Sequence, residues 1–267
     1  MTGFLCFNAF STHPSGKIVT LSTSSFNARY DNPLSGVLQF QQRSGNPKNF
    51  NGNFRVSASE AALTLEGPIS RNTDGEANTT FLASVRRSYL QFLFQVIGLP
   101  FRPDYWDYQF KVDHKIDSRN TISLMGLGSI DDFSVRPPDE FDPEQQAQLD
   151  QAPFIKQRTN TIGLSWRNRL KNGKGFMLTT LSNNTLVNDF TRYQDPENES
   201  GVIFNNDATE SETKLRYELT RFFGDWKLSA GSNVQYSRYR NQTVDQTNNA
   251  AFSTEIDFLK YGLFGNL

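Results

Sequence analysis

The chain has 267 residues, a formal net charge of -1 and only 36% hydrophobic residues, which suits one large all-β domain or two ordinary domains. The near balance of 27 basic and 28 acidic residues argues against a nucleic-acid-binding protein, because such a surface needs an excess of positive charge. A mean hydropathy of -0.57 argues against membrane-spanning helices. Aromatic residues nevertheless reach 13%, and polar chains rich in aromatics are typical of membrane barrels, whose strands bury only alternate residues in lipid.

No targeting segment is recognisable near the beginning of the given sequence. Cys6 is the only cysteine, so neither a disulfide framework nor a thiolate metal site is expected. No basic region and no full apolar segment precede Cys6, which excludes a lipoprotein signal and leaves no recognisable secretion signal. Because the composition indicates an exported protein, we expect the chain to be a fragment that is cut at both ends.

From residue 50 onward, apolar and polar side chains alternate in one segment after another. This period of two predicts half-buried strands. Gly126 and Gly128 interrupt one apolar face and are expected to leave room for curvature. The predicted apolar faces are, in chain order, Phe50, Phe54, Val56 and Ala58; Ala61, Leu63 and Leu65; Phe81, Ala83 and Val85; Tyr108, Phe110, Val112, His114 and Ile116; Ile122, Leu124, Gly126, Gly128 and Ile130; Ile162, Leu164 and Trp166; Phe176, Leu178 and Thr180; Leu215, Tyr217 and Leu219; Trp226, Leu228, Ala230, Val234 and Tyr236; and Phe252, Ile256 and Phe258.

Short and long connections alternate between these predicted strands. Long strands with tight turns at one end and long loops at the other are typical of an outer-membrane barrel, whereas the strands of a sandwich are shorter. The short connections are residues 117–120, 171–175 and 222–225, and the long polar ones are residues 131–156, 191–207 and 241–251.

Aromatic residues cluster near both ends of the predicted strands. Such clusters indicate two interfacial girdles, one at each surface of a membrane. The girdle residues are Tyr105, Trp106, Tyr193, Tyr239 and Phe252 towards the long loops, and Trp166, Phe176, Phe222, Phe223 and Trp226 towards the short turns.

Residues 25–40, with the sequence S-F-N-A-R-Y-D-N-P-L-S-G-V-L-Q-F, resemble the end of the plug domain of TonB-dependent outer-membrane receptors. In that family a phrase of the form F-x-A-R-Y-G-x-x-L-S-x-V-x precedes the last plug strand, and Asp31 occupies the usual glycine position here. The link S-G-N-P at residues 44–47 and the segment L-T-L-E-G-P-I at residues 63–69 also resemble this family, where the plug leads into the barrel. The segment F-L-A-S-V-R-R-S-Y-L at residues 81–90 is similar to an early barrel strand in Bacteroidetes-type receptors. The resemblance covers residues 24–267, and the later strands match by pattern only.

The resemblance implies an all-β fold, namely an antiparallel transmembrane β-barrel fragment with an open, incomplete sheet and the remnant of an N-terminal plug domain. The expected domains are the C-terminal remnant of the plug at residues 1–46 and the N-terminal portion of the barrel at residues 47–267. A complete barrel of this family has about 22 strands. The chain accounts for about nine or ten, so it should not function alone, because bare strand edges are not tolerated in lipid.

The same resemblance implies part of a receptor in the cell outer membrane, which takes up a substrate with energy supplied through TonB. The expected partners are outer-membrane lipid, the TonB complex and an extracellular ligand, which would be a siderophore, a glycan or a peptide. The TonB complex would contact an N-terminal region that this chain lacks. No cofactor and no nucleic acid are expected.

Nothing in the sequence indicates an enzyme or a metal site. His13 and His114 are the only histidines, and the chain has no Ser/His/Asp arrangement, Cys/His metal spacing or phosphate-binding glycine loop. His114 is interpreted as an interfacial residue near a short turn. The acidic residues 131–144 supply carboxylate oxygens of the kind that bind Ca²⁺. They lack the ligand spacing of a calcium loop, so a solvated loop is the preferred interpretation.

Residues 86–106 form the candidate binding region. Residues 89–97 are predicted to form a short helix, followed by a connection longer than a hairpin needs. Long connections with aromatic residues and arginine are typical of ligand contacts, and the alternative is a helix that merely packs over the barrel mouth. The predicted substrate-binding residues of the outer vestibule are Arg86, Arg102, Tyr105 and Trp106.

Two other classes of protein stay open at this point. A passive porin or surface barrel without a plug accounts for the strands, but it has no use for residues 26–40. A soluble carbohydrate-binding β-sandwich accounts for the β-structure, and it would place all large apolar side chains in one sealed interior between two sheets.

Overall fold

The computed structural model describes residues 16–22, 28–30, 36–136 and 152–267 of the chain, and these residues form two antiparallel sheets. β1 (Gly16–Ser22) and β2 (Val37–Gln42) make a sheet of two strands. In the larger sheet, ten strands each pair with the strand that follows in the sequence. They are β3 (Asn51–Val56), β4 (Glu60–Arg71), β5 (Ala77–Ser88), β6 (Phe101–Lys115), β7 (Asn120–Val135), β8 (Phe154–Arg169), β9 (Gly175–Asp195), β10 (Ser200–Phe223), β11 (Trp226–Asp245) and β12 (Ala250–Asn266).

Helical structure is limited to two short segments of the described ranges. α1 (Leu90–Val96) joins β5 to β6, which confirms the helix predicted at residues 89–97. A 3-10 helix (Lys171–Gly173) joins β8 to β9. Among the described residues, no helix combines the length and the apolar character that crossing a bilayer requires.

The larger sheet is a single open layer. Within the described residues, β3 and β12 lie at its two edges and each pairs with only one neighbour. This arrangement confirms the predicted all-β, antiparallel and incomplete sheet. It also excludes the soluble β-sandwich, because a sandwich encloses its apolar residues between two packed sheets. The link between the two sheets contains the domain boundary expected at residues 46 and 47, and that boundary stays a prediction.

The two faces of the larger sheet have opposite chemical character. Residues that are paired across strands share a face, so Arg86 and Asp107 lie on one side, here named the inner face, and Val85 and Tyr108 lie on the other, the outer face. Of the described residues, sixteen polar or charged ones but only five apolar ones are buried, the reverse of a water-soluble domain. The registers confirm the predicted apolar faces of β3 to β8, β10 and β11, all of which are outer.

The outer face carries an apolar belt of defined height. On β6 the belt covers residues 106–116, and on β11 it covers residues 226–236. Ten residue steps of about 3.3 Å, tilted by about 40°, span about 25 Å along the barrel axis, which is the height of the apolar band of an outer-membrane barrel. Since β10 alone has 24 residues, the strands extend well beyond the belt.

Two predicted apolar faces are wrong. Leu178 of β9 pairs with Glu218, and Phe258 of β12 pairs with Ser237, so both side chains lie on the inner face with Phe176, Phe252 and Ile256. Both strands carry apolar residues on both of their faces, so alternation alone does not select a side and the register with the neighbouring strand decides it. The outer face of β12 is formed by Leu259, Tyr261 and Leu263.

The predicted girdles divide between the two faces for the same reason. The outer-facing members are Trp106, Trp166, Tyr193, Phe223 and Trp226, and the inner-facing members are Tyr105, Phe176, Phe222, Tyr239 and Phe252. Only the first group can mark a lipid interface.

Two of the three predicted long loops are also wrong. Residues 196–199 connect β9 to β10, and residues 246–249 connect β11 to β12, so both connections are tight turns. Beyond the belt both faces of a strand are polar, and the alternation that identifies a strand in the sequence is therefore lost. The third loop is flanked by the ends of β7 and β8, and its residues 137–151 lie outside the described residues.

Three turns share the sequence pattern D-x-x-N, at residues 117–120, 195–198 and 245–248. In the second, Asp195 Oδ1 accepts hydrogen bonds from the backbone N–H groups of Glu197 and Asn198, at 3.1 Å each, and Oδ2 accepts one of 2.9 Å from Asn198 Nδ2. The hydrogen bonds from Asn198 lower the pKa of Asp195, because they favour its charged form. The equivalent asparagines lower the pKa values of Asp117 and Asp245.

The two glycines of β7 lie beneath aromatic rings on the outer face. A Cβ added at Gly126 would lie 2.4 Å from Cε1 of Phe110, and one at Gly128 would lie 2.6 Å from Cζ of Tyr108. Glycine at these positions therefore lets rings of the paired strand cover the backbone. This is a more specific role than the expected room for curvature.

Candidate functional site

The inner face is a polar surface that each strand builds from alternate residues. Hydroxyl groups connect neighbouring strands: Thr64 Oγ1 lies 2.7 Å from Ser84 Oγ, and Thr220 Oγ1 lies 3.0 Å from Ser229 Oγ. All four residues are buried, and these contacts satisfy polar groups that would otherwise be costly to bury. A lining of this kind suits the interior of a barrel that holds water or a plug.

Residues 28–30 and 36–46, here named the inner segment, lie against this polar face. The Arg29 Nη2 atom is 3.7 Å from Glu218 Oε2 of β10. The guanidinium of Arg216, on the same strand, donates a hydrogen bond to the backbone carbonyl of Arg29. Arg29 belongs to the A-R-Y phrase of the family resemblance, so the residue that carries the resemblance contacts the sheet directly.

A second contact of the inner segment is made at the end of β2. Gln42 Nε2 lies 3.5 Å from Gln109 Oε1 of β6, and Lys111 Nζ donates a hydrogen bond of 3.2 Å to the Gln42 carbonyl oxygen. Both glutamines are buried. Hydrogen bonds between polar side chains can be remade with water, so this contact is compatible with a segment that separates from the wall.

The third contact lies where the inner segment leads into the larger sheet. Arg43 donates two hydrogen bonds to the carboxylate of Glu66, one of them from Nη2 at 3.0 Å. The Asn46 backbone N–H donates to the same carboxylate at 3.0 Å. A Cβ at Gly45 would lie 1.9 Å from the Phe81 carbonyl oxygen, so the link passes too close to β5 for any other residue.

A buried charge network occupies the inner face towards α1. Arg86 is 2% exposed, and it donates from Nε to Asp107 at 2.6 Å and from Nη1 to Glu60 at 3.0 Å. Arg55 donates a further hydrogen bond of 2.6 Å to Glu60. Two cations thus face two carboxylates, which is the pairing that a buried ion needs to offset its loss of hydration.

Two further groups border this network. The Arg86 guanidinium carbon lies 5.4 Å from the centre of the Tyr105 ring, a cation–π distance. Asp131, opposite Tyr105 in the ladder, accepts a hydrogen bond of 3.0 Å from Ser129 through Oδ2. Its Oδ1 is buried and has no hydrogen-bond partner among the described residues. Asp131 therefore adds a carboxyl group to the inner face, and it forms no ion pair with any described residue.

The four predicted substrate-binding residues do not converge on one site. Arg86 and Tyr105 lie together on the inner face, whereas Arg102 and Trp106 lie on the outer face. Trp106 is covered by the guanidinium of Arg87 at 4.7 Å. The structure places two of the four residues on each face, and the vestibule role of all four stays a prediction.

Sequence reasoning did not single out the partners that hold these arginines and the inner segment. These partners occupy the polar positions of alternating strands, where a charged residue is expected and does not stand out. They are Glu60, Glu66, Asp107 and Glu218. The available signal was that four carboxylates fall on the side that the pattern assigns to the interior, where an unpaired charge is costly.

The described residues contain no group of three or more His, Cys, Asp or Glu side chains that could hold a metal ion. Asp131 and Asp132, from the acidic stretch considered for Ca²⁺, lie on opposite faces of β7. His114 is an exposed outer-face residue whose Nδ1 lies 2.8 Å from Thr79 Oγ1, in agreement with an interfacial position near a turn.

Comparison with solved structures reveals the same architecture in a copper transporter and in two receptors for iron-loaded molecules. The copper transporter OprC superposes with a TM-score of 0.64 and 12% identity, over 92% of this chain and 38% of that chain. A mutant of the ferric enterobactin receptor PfeA from Pseudomonas aeruginosa gives 0.60 and 12%, over 94% of this chain and 41% of that chain. The ferripyoverdine receptor of the P. aeruginosa outer membrane gives 0.56 and 11%, over 83% of this chain and 32% of that chain.

No protein-family model and no curated protein sequence matches the chain. The chain spans between 32% and 41% of the length of the three structures. At this level of identity the likeness concerns the fold alone, and the fold of this chain is that of part of the β-barrel of these three structures.

Proposed function

We propose that the chain forms the end of the plug, at residues 1–46, and the first part of the barrel, at residues 47–267, of a Bacteroidetes-type TonB-dependent receptor in the outer membrane. The receptor binds an extracellular siderophore, glycan or peptide and takes it up with energy delivered through TonB. It is a transport protein without enzymatic activity. The observation that carries the proposal is the inner segment, which lies on the polar face of a sheet whose opposite face is an apolar belt.

The contacts of the inner segment favour an energised receptor over a passive porin. Arg29, Gln42 and Arg43 meet polar partners on β10, β6 and β4. Polar contacts hold the segment in place at rest and can be exchanged for water when it is pulled. A passive pore has no use for such a segment.

The topology of the proposal is tested first. In a background in which Cys6 is replaced by Ser, single cysteines are introduced by Ser118→Cys, in the turn between β6 and β7, and by Thr247→Cys, in the turn between β11 and β12. Both positions are exposed. A membrane-impermeant maleimide should label Thr247→Cys on intact cells, and Ser118→Cys only after the outer membrane is opened. Equal labelling on intact cells refutes a membrane-spanning sheet.

Energy coupling is tested by tethering the inner segment to the wall. The side-chain ends of Gln42 and Gln109 are 3.5 Å apart, so Gln42→Cys and Gln109→Cys can be joined by a short bismaleimide. Growth is measured on iron-loaded siderophore, on glycan or on peptide, using the nutrient on which a deletion strain fails. The bridge should abolish growth, while each single cysteine treated with the same reagent retains it. Growth that survives bridging contradicts a moving plug and favours a passive porin.

A further inference from the structure

An open cleft lies on the outer face beyond the apolar belt, between α1 and the ends of β6 and β7. Its volume is about 460 Å³, enough for one to several sugar rings within the usual range of ligand pockets. Gln91 and Gln95, which are one helical turn apart, line it from α1, and Arg102, Ser134 and Arg136 line it from the sheet.

The donors of this cleft are only partly used by the protein itself. Arg102 Nη1 donates to the backbone carbonyls of Leu99 and Phe101, which orients the guanidinium and leaves Nε and Nη2 for another acceptor. Within the described part of the chain, the side chains of Arg136, Gln91 and Gln95 make no hydrogen bond or ion pair. Two guanidinium groups and two amides held around one cleft are donors suited to carboxylate, phosphate and sugar hydroxyl oxygens.

The charge within the cleft is not uniform. Glu197, from the turn between β9 and β10, is the acidic member of the lining. A smaller recess of about 160 Å³ shares Arg102 and adds Lys156, but it also contains three carboxylates, those of Asp104, Asp132 and Glu199. Anion binding is therefore confined to the part of the cleft between Arg102 and Arg136. The exposed ring of Phe92 offers that part an apolar surface on which a sugar face can stack.

The position of the cleft relative to the apolar belt further restricts the class of ligand that it can bind. Trp106 lies at the end of the belt nearest α1, and Arg102 precedes it by four residues on β6. At about 3.3 Å per residue and a tilt of about 40°, Arg102 therefore lies about 10 Å beyond that end of the belt. That height is the level of the lipid headgroups, and basic pockets of membrane proteins bind anionic headgroups. Soluble glycans reach the same level from the medium.

We infer that this cleft is a binding site for an acidic saccharide, whose phosphate or carboxylate is held by Arg102 and Arg136 and whose hydroxyls are held by Gln91, Gln95 and Ser134. The site lies outside the lumen, so it is distinct from the transport path and binds its ligand whether or not substrate is being taken up. Either a glycolipid of the outer leaflet or a soluble acidic glycan carries the required chemistry.

The experiment uses the protein extracted from membranes in detergent, with two probes. Trigalacturonate is titrated by calorimetry at low salt, and lipid A is offered in phosphatidylcholine nanodiscs that contain about one tenth lipid A, with retained lipid counted by native mass spectrometry. At least one probe should bind, and trigalacturonate binding should weaken with added salt. Retention of lipid A alone identifies the glycolipid, and binding of trigalacturonate alone identifies a soluble glycan. If neither probe binds, the inference is overturned.

Variants assign the binding to the cleft. Arg102→Gln with Arg136→Gln should reduce affinity at least tenfold, because two charge-assisted contacts are lost. Arg221→Gln, on the outer face at the opposite end of β10, is the matched control and should bind as the wild type does. Arg136→Gln alone removes no internal hydrogen bond, so it should fold normally and still lose affinity several-fold. Unchanged binding in the arginine variants, or an equal loss in the control, contradicts the site.

Discussion

Replacing Arg86 with Met should destabilise the barrel strongly, because it removes the cation that two buried carboxylates share. Met preserves much of the side-chain volume and carries no charge. Asp107 loses its 2.6 Å contact to Nε, and Glu60 loses its 3.0 Å contact to Nη1. Glu60 still has Arg55 as a partner at 2.6 Å, so the loss falls mainly on Asp107.

The magnitude follows from two opposing terms. At an effective dielectric constant of about 20, charges about 3 Å apart attract each other by about 5 kcal/mol. Burying each ion costs several kcal/mol in lost hydration, so an intact buried pair contributes little net stability, whereas removing one partner costs about 3–5 kcal/mol. We expect the free energy of unfolding of Arg86→Met to fall by that amount.

The assay is equilibrium unfolding in guanidinium chloride of protein reconstituted in lipid vesicles, followed by tryptophan fluorescence. The matched control is Arg87→Met, on the next residue of β5, which breaks a 2.6 Å ion pair with Asp104 on the outer face. That pair is substantially exposed to solvent, with 36% and 25% of the two side chains accessible, so its loss should cost about 0–1 kcal/mol.

A third variant distinguishes the loss of the attraction between Arg86 and Asp107 from the cost of leaving Asp107 buried without a partner. Arg86→Met combined with Asp107→Leu removes both charges of the pair, and it should recover most of the lost stability. The reasoning is refuted if Arg86→Met costs no more than Arg87→Met. It is also refuted if adding Asp107→Leu lowers the stability further, since Asp107 would then not be the group left unpaired.

Three other predictions concern the outer face, the glycines of the sheet and the turns. Leu164→Arg, on the outer face of β8, should cost about 2–4 kcal/mol of insertion free energy, whereas Ser165→Arg, on the inner face, should cost less than about 1 kcal/mol. Both costs are measured by refolding into vesicles, and equal costs contradict the assigned faces. Gly126→Ala should cost about 1–3 kcal/mol because the Phe110 ring must move. Gly163→Ala, whose Cβ would lie 3.6 Å from the nearest atom, should stay within about 0.5 kcal/mol, and equal effects contradict the ring-over-glycine packing. The pKa of Asp195 is lowered in the fold by Asn198, so its stabilisation of the turn is present above the unfolded-state pKa and lost as the pH falls through the folded-state pKa. Amide protection at Glu197 and Asn198, whose N–H groups donate to this carboxylate, should therefore drop between about pH 7 and about pH 2 in the wild type after correction for intrinsic exchange. Asp195→Ala should be poorly protected throughout. A pH-independent wild type contradicts the role of the carboxylate.

Strands with one apolar and one polar face could be assigned from sequence, and strands with mixed faces could not. On β6, Tyr108, Phe110 and Val112 alternate with Gln109 and Lys111, and only one register buries the polar set. On β12, Phe258 and Leu259 are adjacent, so a shift of one residue exchanges one apolar side chain for another. The pairing of Phe258 with Ser237 settles the face, and that information lies in the neighbouring strand.

The candidate site was predicted only in outline. The A-R-Y phrase pointed to a segment inside a barrel, and residues 86–106 pointed to the region around Arg86. The partners of these residues could not be found, because Glu218 lies far along the chain from Arg29 and Gln109 is 67 residues from Gln42. Contacts over such distances depend on the order and register of all the intervening strands.

The sequence by itself determined that this protein is a meander of long antiparallel strands with a polar side and an apolar side, because a period of two is a property of each strand alone. The tertiary structure decided which carboxylate meets which arginine, which aromatic residues face outward and how far the strands continue beyond the belt. Those features depend on cross-strand register, which fixes the neighbours of every side chain only when the strands are assembled together.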